Sequence, residues 1–288
     1  MFCMWKAYGQ GRRMFNTMLS SIIKINIKTI IMITLLNGEQ WEEKDILKEM
    51  LHDPFYYGHL GKNALSSSAL KKLIESPKAY QKSLHFNSNA QPLRDGRLIH
   101  LSVLEKHRLS ELTIVDSTKA AKGFKDAVKE FGVESVYTQS EMDNAYWIAK
   151  AVEECDSASE LLQGCTFEEP AIKMIDGIAV RGKADARKGS TIIDLKSTSG
   201  GIDKFKWSAK NFSYELQAAL YLELFDATEF IFLVVDKDTK DIGIFECSGE
   251  FIQRGYDKIE RGIYNFKYFF LDNNPKDSVR NYVTHDIL

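Results

Sequence analysis

Residues 171–196 are the part of the chain that most restricts the fold. They read as three strand-like segments separated by two tight turns. The first turn, Asp176-Gly177, is a dipeptide typical of two-residue β-hairpins, and the second falls within residues 187–190. Three strands joined by such short turns form an antiparallel meander. The chain is therefore predicted to contain a sheet that the other elements must cover.

The elements after the meander extend this sheet. Residues 213–225 have the spacing of an amphipathic helix, and residues 229–236 form a nearly all-apolar strand. Residues 242–248 are its predicted hairpin partner, and residues 250–270 form a last long helix. The order helix, three strands, helix, strand (αβββαβ) predicts an α/β fold with a mixed sheet flanked by helices.

The first half of the chain is predicted to be mainly helical. Ser66 to Ser68 supply the N-cap of a helix that Ser76-Pro77 ends. His100 lies in a second helix, where the ordinary interpretation is a core histidine. Residues 119–129 and 141–154 indicate two more helices with charged outer faces.

The N-terminal residues differ from the rest. Residues 1–31 carry five Lys or Arg and no acidic residue, although the whole chain has a net charge of -2. The apolar run at residues 29–36 is too short to span a bilayer. We interpret residues 1–41 as an N-terminal extension, either wrongly started or disordered, and residues 42–288 as a single domain. The alternative is a weak membrane-surface anchor.

Overall charge and cysteine spacing exclude some function classes. A net charge of -2 gives no general basic field, so any polyanion must be bound by a locally basic surface. The four cysteines, Cys3, Cys155, Cys165 and Cys247, include no C-x-x-C pair. This argues against a zinc site and a disulfide framework and favours a reducing cytoplasm.

A pattern of charged residues lies at the ends of the predicted strands. Asp194 and Lys196 alternate on one strand and therefore point to the same face, and Asp185 lies near the end of the preceding strand. If the two carboxylates face the same side, they can share one divalent cation, with Lys196 beside them. Such a site suits phosphodiester hydrolysis. Alone, however, an Asp-x-Lys pair in a strand is usually a surface ion pair.

These motifs, taken in order, resemble the PD-(D/E)XK nuclease superfamily with its restriction-endonuclease-like core, and within it the RecB-like branch. The matching residues are His100 in a helix, Gly182 with Asp185, Asp194 with Lys196, and Gln217 with Tyr221. The segments "SSSALKKLIESP", "RGKAD", "DLKST" and "QAALY" are most similar to the nuclease domain of phage exonuclease VIII, the RecE-like type. The resemblance covers residues 65–225.

The resemblance implies a Mg²⁺-dependent exonuclease, with Mn²⁺ as a substitute, that digests the 5′ strand of double-stranded DNA. The resulting 3′ overhangs would serve recombination through a RecT-like single-strand annealing protein. An iron–sulfur cluster is not expected, since Cys247 stands alone downstream of the motifs. The implied location is the host cytoplasm, as a phage or prophage protein.

The resemblance also implies roles for particular residues. The catalytic residues would be Asp185, Asp194 and Lys196. The metal ligands would be His100, Asp185, Asp194 and the backbone carbonyl of Leu195. DNA contacts would come from Gln217, Tyr221, Ser197 and Ser66, with Glu169 and Glu105 as further candidate carboxylates.

Two alternative functions remain open within the same fold. One is a non-cutting DNA-binding relative, which would be expected to lack Asp185, Asp194 or Lys196. The other is a sequence-specific endonuclease, which would be favoured by an added recognition domain. Relatives of the exonuclease VIII type enclose DNA in a ring, so we also expect a homo-oligomeric ring. Its channel would be lined by Lys119, Lys122, Lys125, Lys204, Lys206 and Lys210.

Overall fold

The structure is a computed structural model that describes residues 31–85, 90–271 and 279–284. The chain divides into two compact units, Met1–Met32 and Ile33–Leu288. The extension predicted for residues 1–41 lies largely outside the described residues. The second unit nevertheless begins at Ile33, nine residues before the domain boundary expected from the sequence.

Helical elements dominate the N-terminal half, as predicted. Two short strands, β1 (Met32–Thr34) and β2 (Gln40–Glu42), come first, and a second pair is β3 (Thr113–Val115) and β4 (Val136–Thr138). The helices of this half are α1 (Glu43–Glu49), α2 (Leu60–Asn63), α3 (Ser67–Glu75), α4 (Pro77–Ser83), α5 (Gln91–Leu104), α6 (Lys122–Phe131), α7 (Gln139–Glu154) and α8 (Asp156–Leu162). A π-helical turn, Pro54–His59, precedes α2, and a 3-10 turn, Lys106–Glu111, follows α5.

The C-terminal half contains the main sheet. Its strands are β5 (Thr166–Ile175), β6 (Ile178–Lys188), β7 (Thr191–Thr198), β8 (Glu229–Asp236) and β9 (Ile242–Glu246). Its helices are α9 (Phe205–Asn211), α10 (Tyr214–Phe225) and α11 (Gly249–Phe266), the last continuing as a π-helical turn, Lys267–Leu271.

The main sheet has five strands in the order β5-β6-β7-β8-β9. Neighbouring strands run antiparallel except β7 and β8, which are parallel and joined through α9 and α10. The predicted αβββαβ order and the mixed sheet are therefore confirmed. Strand β5 starts at Thr166, five residues before the predicted start.

Local backbone preferences explain the meander. At the β5–β6 turn both Asp176 (φ 48°) and Gly177 (φ 76°) adopt the left-handed region. A two-residue turn of that kind matches the twist of the strands it joins, and Asp-Gly tolerates it at low cost.

Alternation along β7 directs its apolar side chains into two different hydrophobic clusters. Ile192 packs in the cluster that includes side chains of α3, α10 and α11. Ile193 and Leu195 pack in the cluster that includes side chains of α5, α7 and α8. Because both faces are covered, a polar side chain on β7 is buried unless the sheet opens beside it.

The residues just before position 42 belong to the folded unit. Ile33 and Leu35 are buried in a third cluster with Ile46, Met50 and Ala179. They alternate with exposed residues, as expected for a strand with one face against the core. Among the described residues, no helix is both long and apolar enough to cross a membrane.

Candidate active site

A gap between β6 and β7 forms the centre of the site. The two strands pair only from Ala186 opposite Ile193 to Lys188 opposite Thr191, whereas β7 continues to pair with β8 as far as Thr198. Past this point the Leu195 N–H donates to Asp185 Oδ2 at 2.9 Å. The Asp185 carboxylate thus replaces a backbone acceptor, which holds it at the point where the strands separate.

Asp194 is fully buried on the face of β7 that carries Ile192. Its Oδ1 accepts a hydrogen bond from Gln217 Nε2 on α10 at 2.7 Å. Its Oδ2 forms an ion pair with Lys196 Nζ at 2.6 Å. Burial raises the pKa of Asp194 to about 6, because desolvation and the Asp185 charge outweigh the attraction of Lys196.

Lys196 is held beside both carboxylates. Desolvation lowers its pKa, but the charges of Asp194 and Asp185 more than offset this, so the net shift is upward and the ammonium stays charged. Its Nζ also lies 5.1 Å from the ring centroid of Tyr214, the first residue of α10. The predicted pair Asp194 and Lys196 is therefore a buried ion pair rather than a solvated surface contact.

His100, on α5, brings three carboxylates together. Its Nε2 lies 3.2 Å from Glu168 Oε1 and 3.3 Å from Asp185 Oδ1, and its Nδ1 lies 3.6 Å from Glu105 Oε2. Desolvation lowers the pKa of His100, but the charge of Asp185 and the hydrogen bonds with the carboxylates outweigh it and raise this pKa to about 12. Desolvation raises the pKa of Asp185, yet His100 and Lys196 bring it below its usual value.

The His100 imidazole is part of a closed ring of ion pairs. From Glu168, Lys183 Nζ is 3.8 Å away, and the same nitrogen is 3.5 Å from Asp53. Asp53 pairs with Arg108 at 2.7 Å, and Arg108 pairs with Glu105 at 3.2 Å, which leads back to His100. The ring joins segments distant in the sequence, and Asp53, Arg108, Lys183 and Glu168 were not recognised from the sequence.

Glu168 takes the place that Glu169 was expected to hold. Glu168 lies between two paired residues of β5, Phe167 opposite Ala186 and Glu169 opposite Ala184, and its φ of 53° is in the left-handed region. Glu169 points elsewhere and pairs with Arg187 Nη1 at 2.6 Å. The expectation for Glu169 is corrected accordingly: it lies outside the cluster. The sequence shows two adjacent glutamates, Glu168 and Glu169, as candidate members of the cluster. Which of them joins the cluster depends on the backbone angle φ of Glu168.

The remaining predicted residues have mixed placements. Gln217 orients Asp194, and Tyr221 is buried against Gly182. Ser66 Oγ caps α3 by accepting from the Ala69 N–H at 3.3 Å, so this hydroxyl has a structural role. Ser197 is half-buried on β7, one residue beyond Lys196.

The donor set fits a divalent metal ion. Ligand atoms of His100, Glu105 and Glu168 all lie within 4.8 Å of one another. Asp194 is a fully buried carboxylate whose pKa stays raised although Lys196 Nζ lies 2.6 Å from its Oδ2, so a further cation would stabilise its charged form. Carboxylate oxygens with one imidazole are ligands that divalent ions accept.

The strand gap, the paired aspartates and the adjoining lysine on a mixed sheet define the PD-(D/E)XK class of nucleases. Residues 66–274 match the model of a family described as a PDDEXK-like domain of unknown function (DUF3799), and the chain belongs to this family. The superfamily resemblance drawn from the motifs is thereby confirmed.

One solved structure agrees with this fold. The chain is similar to a protein from Eubacterium rectale classed as an exonuclease, with a TM-score of 0.59 and 16% identity over 82% of this chain and 94% of that chain. A phage-related exonuclease from Haemophilus somnus 129PT also aligns, at 16% identity over 71% of this chain and 94% of that one, with a TM-score of 0.31. A comparison with curated proteins finds no match.

Proposed function

We propose that this chain is a Mg²⁺-dependent DNA exonuclease that digests the 5′ strand of double-stranded DNA and leaves 3′ overhangs. The observation that carries the proposal is the convergence of Asp185, Asp194 and Lys196 at the gap between β6 and β7. A non-cutting relative would have no use for a fully buried carboxylate paired with an ammonium at this gap, because such a pair adds little stability.

The residues that would hold Mg²⁺ are Asp185, Asp194, the carbonyl of Leu195 and His100, and we add Glu168 because it lies 3.2 Å from His100. PD-(D/E)XK nucleases depend on a metal, and oxygen donors are those that Mg²⁺ prefers. When bound, the ion acidifies a water molecule and neutralises charge on the phosphate. Mn²⁺ would substitute for it.

The chain's own side chains prepare the site for hydrolysis. Gln217 fixes the orientation of Asp194 through its amide hydrogen bond. Lys196 holds its proton at Nζ, close to both carboxylates, and is placed to orient the attacking water and stabilise charge that develops on the phosphate. Glu105 contacts Nδ1 of the His100 imidazole and is itself paired with Arg108.

The polarity of strand digestion and the biological role are inferred from similarity to other nucleases. The RecE-like motifs and the Eubacterium rectale relative classed as an exonuclease support exonucleolytic action. We extend this to recombination with a RecT-like annealing protein in a host cytoplasm. The same proposal includes a contact of Ser197 with the DNA, whereas Tyr221, buried against Gly182, would orient the active-site strand.

One digestion experiment tests the activity. Linear duplexes labelled at either the 5′ or the 3′ end are incubated with the protein and Mg²⁺, beside a closed circular duplex and an EDTA control. We expect early release of the 5′ label, an intact circle and no release in EDTA. Cleavage of the circle would indicate the endonuclease alternative, and binding without any cleavage would indicate the non-cutting alternative.

We further propose a closed homo-oligomeric ring around the duplex. With a net charge of -2, a lone subunit has little long-range attraction for DNA, so enclosure would keep the enzyme bound. Lys122, Lys125, Lys206 and Lys210 are exposed and available for a channel, whereas Lys119 pairs with Glu141 at 2.7 Å. Light scattering and a processivity assay with a trap for released enzyme test this, and a strict monomer would contradict it.

A further inference from the structure

An exposed aromatic side chain stands beside the acidic cluster. Tyr57 is 63% exposed, although its neighbour Tyr56 is only 5% exposed. Both lie on the π-helical turn Pro54–His59, a rare conformation that occurs often at functional sites.

The turn that carries Tyr57 is anchored from its other side. Phe55 packs edge-on against Trp41 with ring centroids 5.5 Å apart, and it stacks on His59 at 5.0 Å. Tyr56 packs beneath Arg181, whose guanidinium lies 4.2 Å from its ring centroid. Tyr57 is therefore presented on a firmly packed segment, so its exposure is not that of a loose loop.

Lys183 connects Tyr57 to the active site. Its Nζ lies 5.5 Å from the ring centroid of Tyr57 and 3.8 Å from Glu168 Oε2. Glu168 in turn contacts His100 at 3.2 Å. A nucleotide whose phosphate reaches this cluster thus brings its base close to the Tyr57 ring.

Charge favours a base over a phosphate as the partner of Tyr57. The ammonium of Lys183 is already shared between Asp53 and Glu168 and is 10% exposed, so this neighbour is engaged with carboxylates. The surface that remains open beside them is the neutral ring. A flat neutral ring next to carboxylates suits the π-face of a nucleobase, which every base offers.

We propose that Tyr57 is a stacking platform for an unpaired nucleobase of the strand being cut. This rests on the proposed nuclease function and goes beyond it by assigning a base subsite outside the metal and lysine machinery. Because stacking needs an unstacked base, the subsite favours strand ends and frayed or single-stranded DNA over the interior of a duplex.

The test couples the side chain to the base by a double-mutant cycle. Wild type, Tyr57→Ala and Tyr57→Phe are compared on duplexes that carry one abasic site at successive nucleotides from the 5′ end. Affinity is measured by fluorescence anisotropy with Ca²⁺ in place of Mg²⁺. Tyr264→Ala is the matched control, since Tyr264 is 62% exposed on α11, where it stacks on Tyr268.

At one position, an abasic site should lower the affinity of wild type and of Tyr57→Phe about tenfold relative to the intact duplex. Tyr57→Ala should bind the intact duplex more weakly than wild type does. The abasic site at that position should not weaken its binding further. Tyr264→Ala should behave as wild type. If the affinity losses caused by Tyr57→Ala and by the abasic site are additive in free energy at every position, to within about twofold in affinity, the stacking proposal is wrong.

A parallel digestion with Mg²⁺ separates this proposal from the function on which it rests. If wild type degrades the duplex but Tyr57 shows no coupling to any base, the subsite is wrong and the nuclease stands. If wild type neither binds nor degrades DNA, the nuclease proposal fails and the subsite fails with it.

Discussion

Gly182 and Tyr221 pack so closely that a side chain at position 182 would force its neighbours to shift. A Cβ there would lie 2.9 Å from Tyr221 Cε1 and also 2.9 Å from Leu224 Cδ1. This contact sets β6 against α10 and explains why a glycine in the strand of Asp185 accompanies a tyrosine one helical turn after Gln217. Both motif residues therefore belong to the packing contact between β6 and α10.

We expect Gly182→Ala to lower the free energy of unfolding by about 1–3 kcal/mol, because the added methyl group overpacks this contact. Urea denaturation measures it. Gly123→Ala is the control: Gly123 is exposed on α6 with nothing near its Cβ position, so alanine should stabilise by up to about 1 kcal/mol. Equal unfolding midpoints for Gly182→Ala and wild type would contradict the packing argument.

Replacements of Asp194 should separate catalysis from stability. Asp194→Asn keeps an oxygen for the Gln217 amide but removes the charge, so hydrolysis should fall about a hundredfold or more while the fold persists. Asp194→Ala should in addition lose about 3 kcal/mol of stability, because it leaves both the Gln217 amide and the Lys196 ammonium without an oxygen partner. Rates on labelled duplex and thermal melts check both, and an active Asp194→Asn variant would refute the assignment.

Lys196→Ala should slow hydrolysis by about a hundredfold while Mn²⁺ still binds, because the ammonium acts on water and phosphate and is not a ligand. Single-turnover rates and calorimetric titration with Mn²⁺ measure the two effects separately. Loss of metal affinity without a slower chemical step would assign Lys196 to the metal site instead.

Adjacent glutamates provide a matched pair. Glu168→Gln should reduce activity about tenfold or more, since Glu168 and Asp185 both contact Nε2 of His100. Glu169→Gln should leave activity unchanged, because Glu169 pairs with Arg187 outside the cluster. The comparison is made at saturating and limiting Mg²⁺. The reverse order of effects would mean that the acidic cluster is assigned to the wrong glutamate.

Two truncations test the start of the folded unit. Removing residues 1–31 should leave the melting temperature nearly unchanged. Removing residues 1–41 should cost about 1.5–3 kcal/mol for each of Ile33 and Leu35, which are buried. Thermal melts of the two shortened chains decide this. If they are equally stable, these two side chains contribute nothing to the core. That result would support a domain boundary at residue 42.

Features that depend on neighbouring residues were determined by the sequence itself. Asp176-Gly177 specifies a tight hairpin because both positions tolerate left-handed backbone. The alternation of side chains puts Asp194 and Lys196 on one face, and the helical spacing of Gln217 and Tyr221 puts them on one side of α10. From these periodicities the order of elements, the mixed sheet and the shared face of Asp194 and Lys196 could be predicted.

Features that depend on distant segments were decided only by the tertiary structure. Asp53, Arg108 and Lys183 belong to one ring of ion pairs, yet no local pattern links them. The left-handed φ of Glu168 selected it over Glu169, and the separation of β6 from β7 turned Asp185 toward the Leu195 amide. The physical reason is range: periodicity along a strand or helix is set by adjacent residues, whereas buried charges must find their partners across the completed fold.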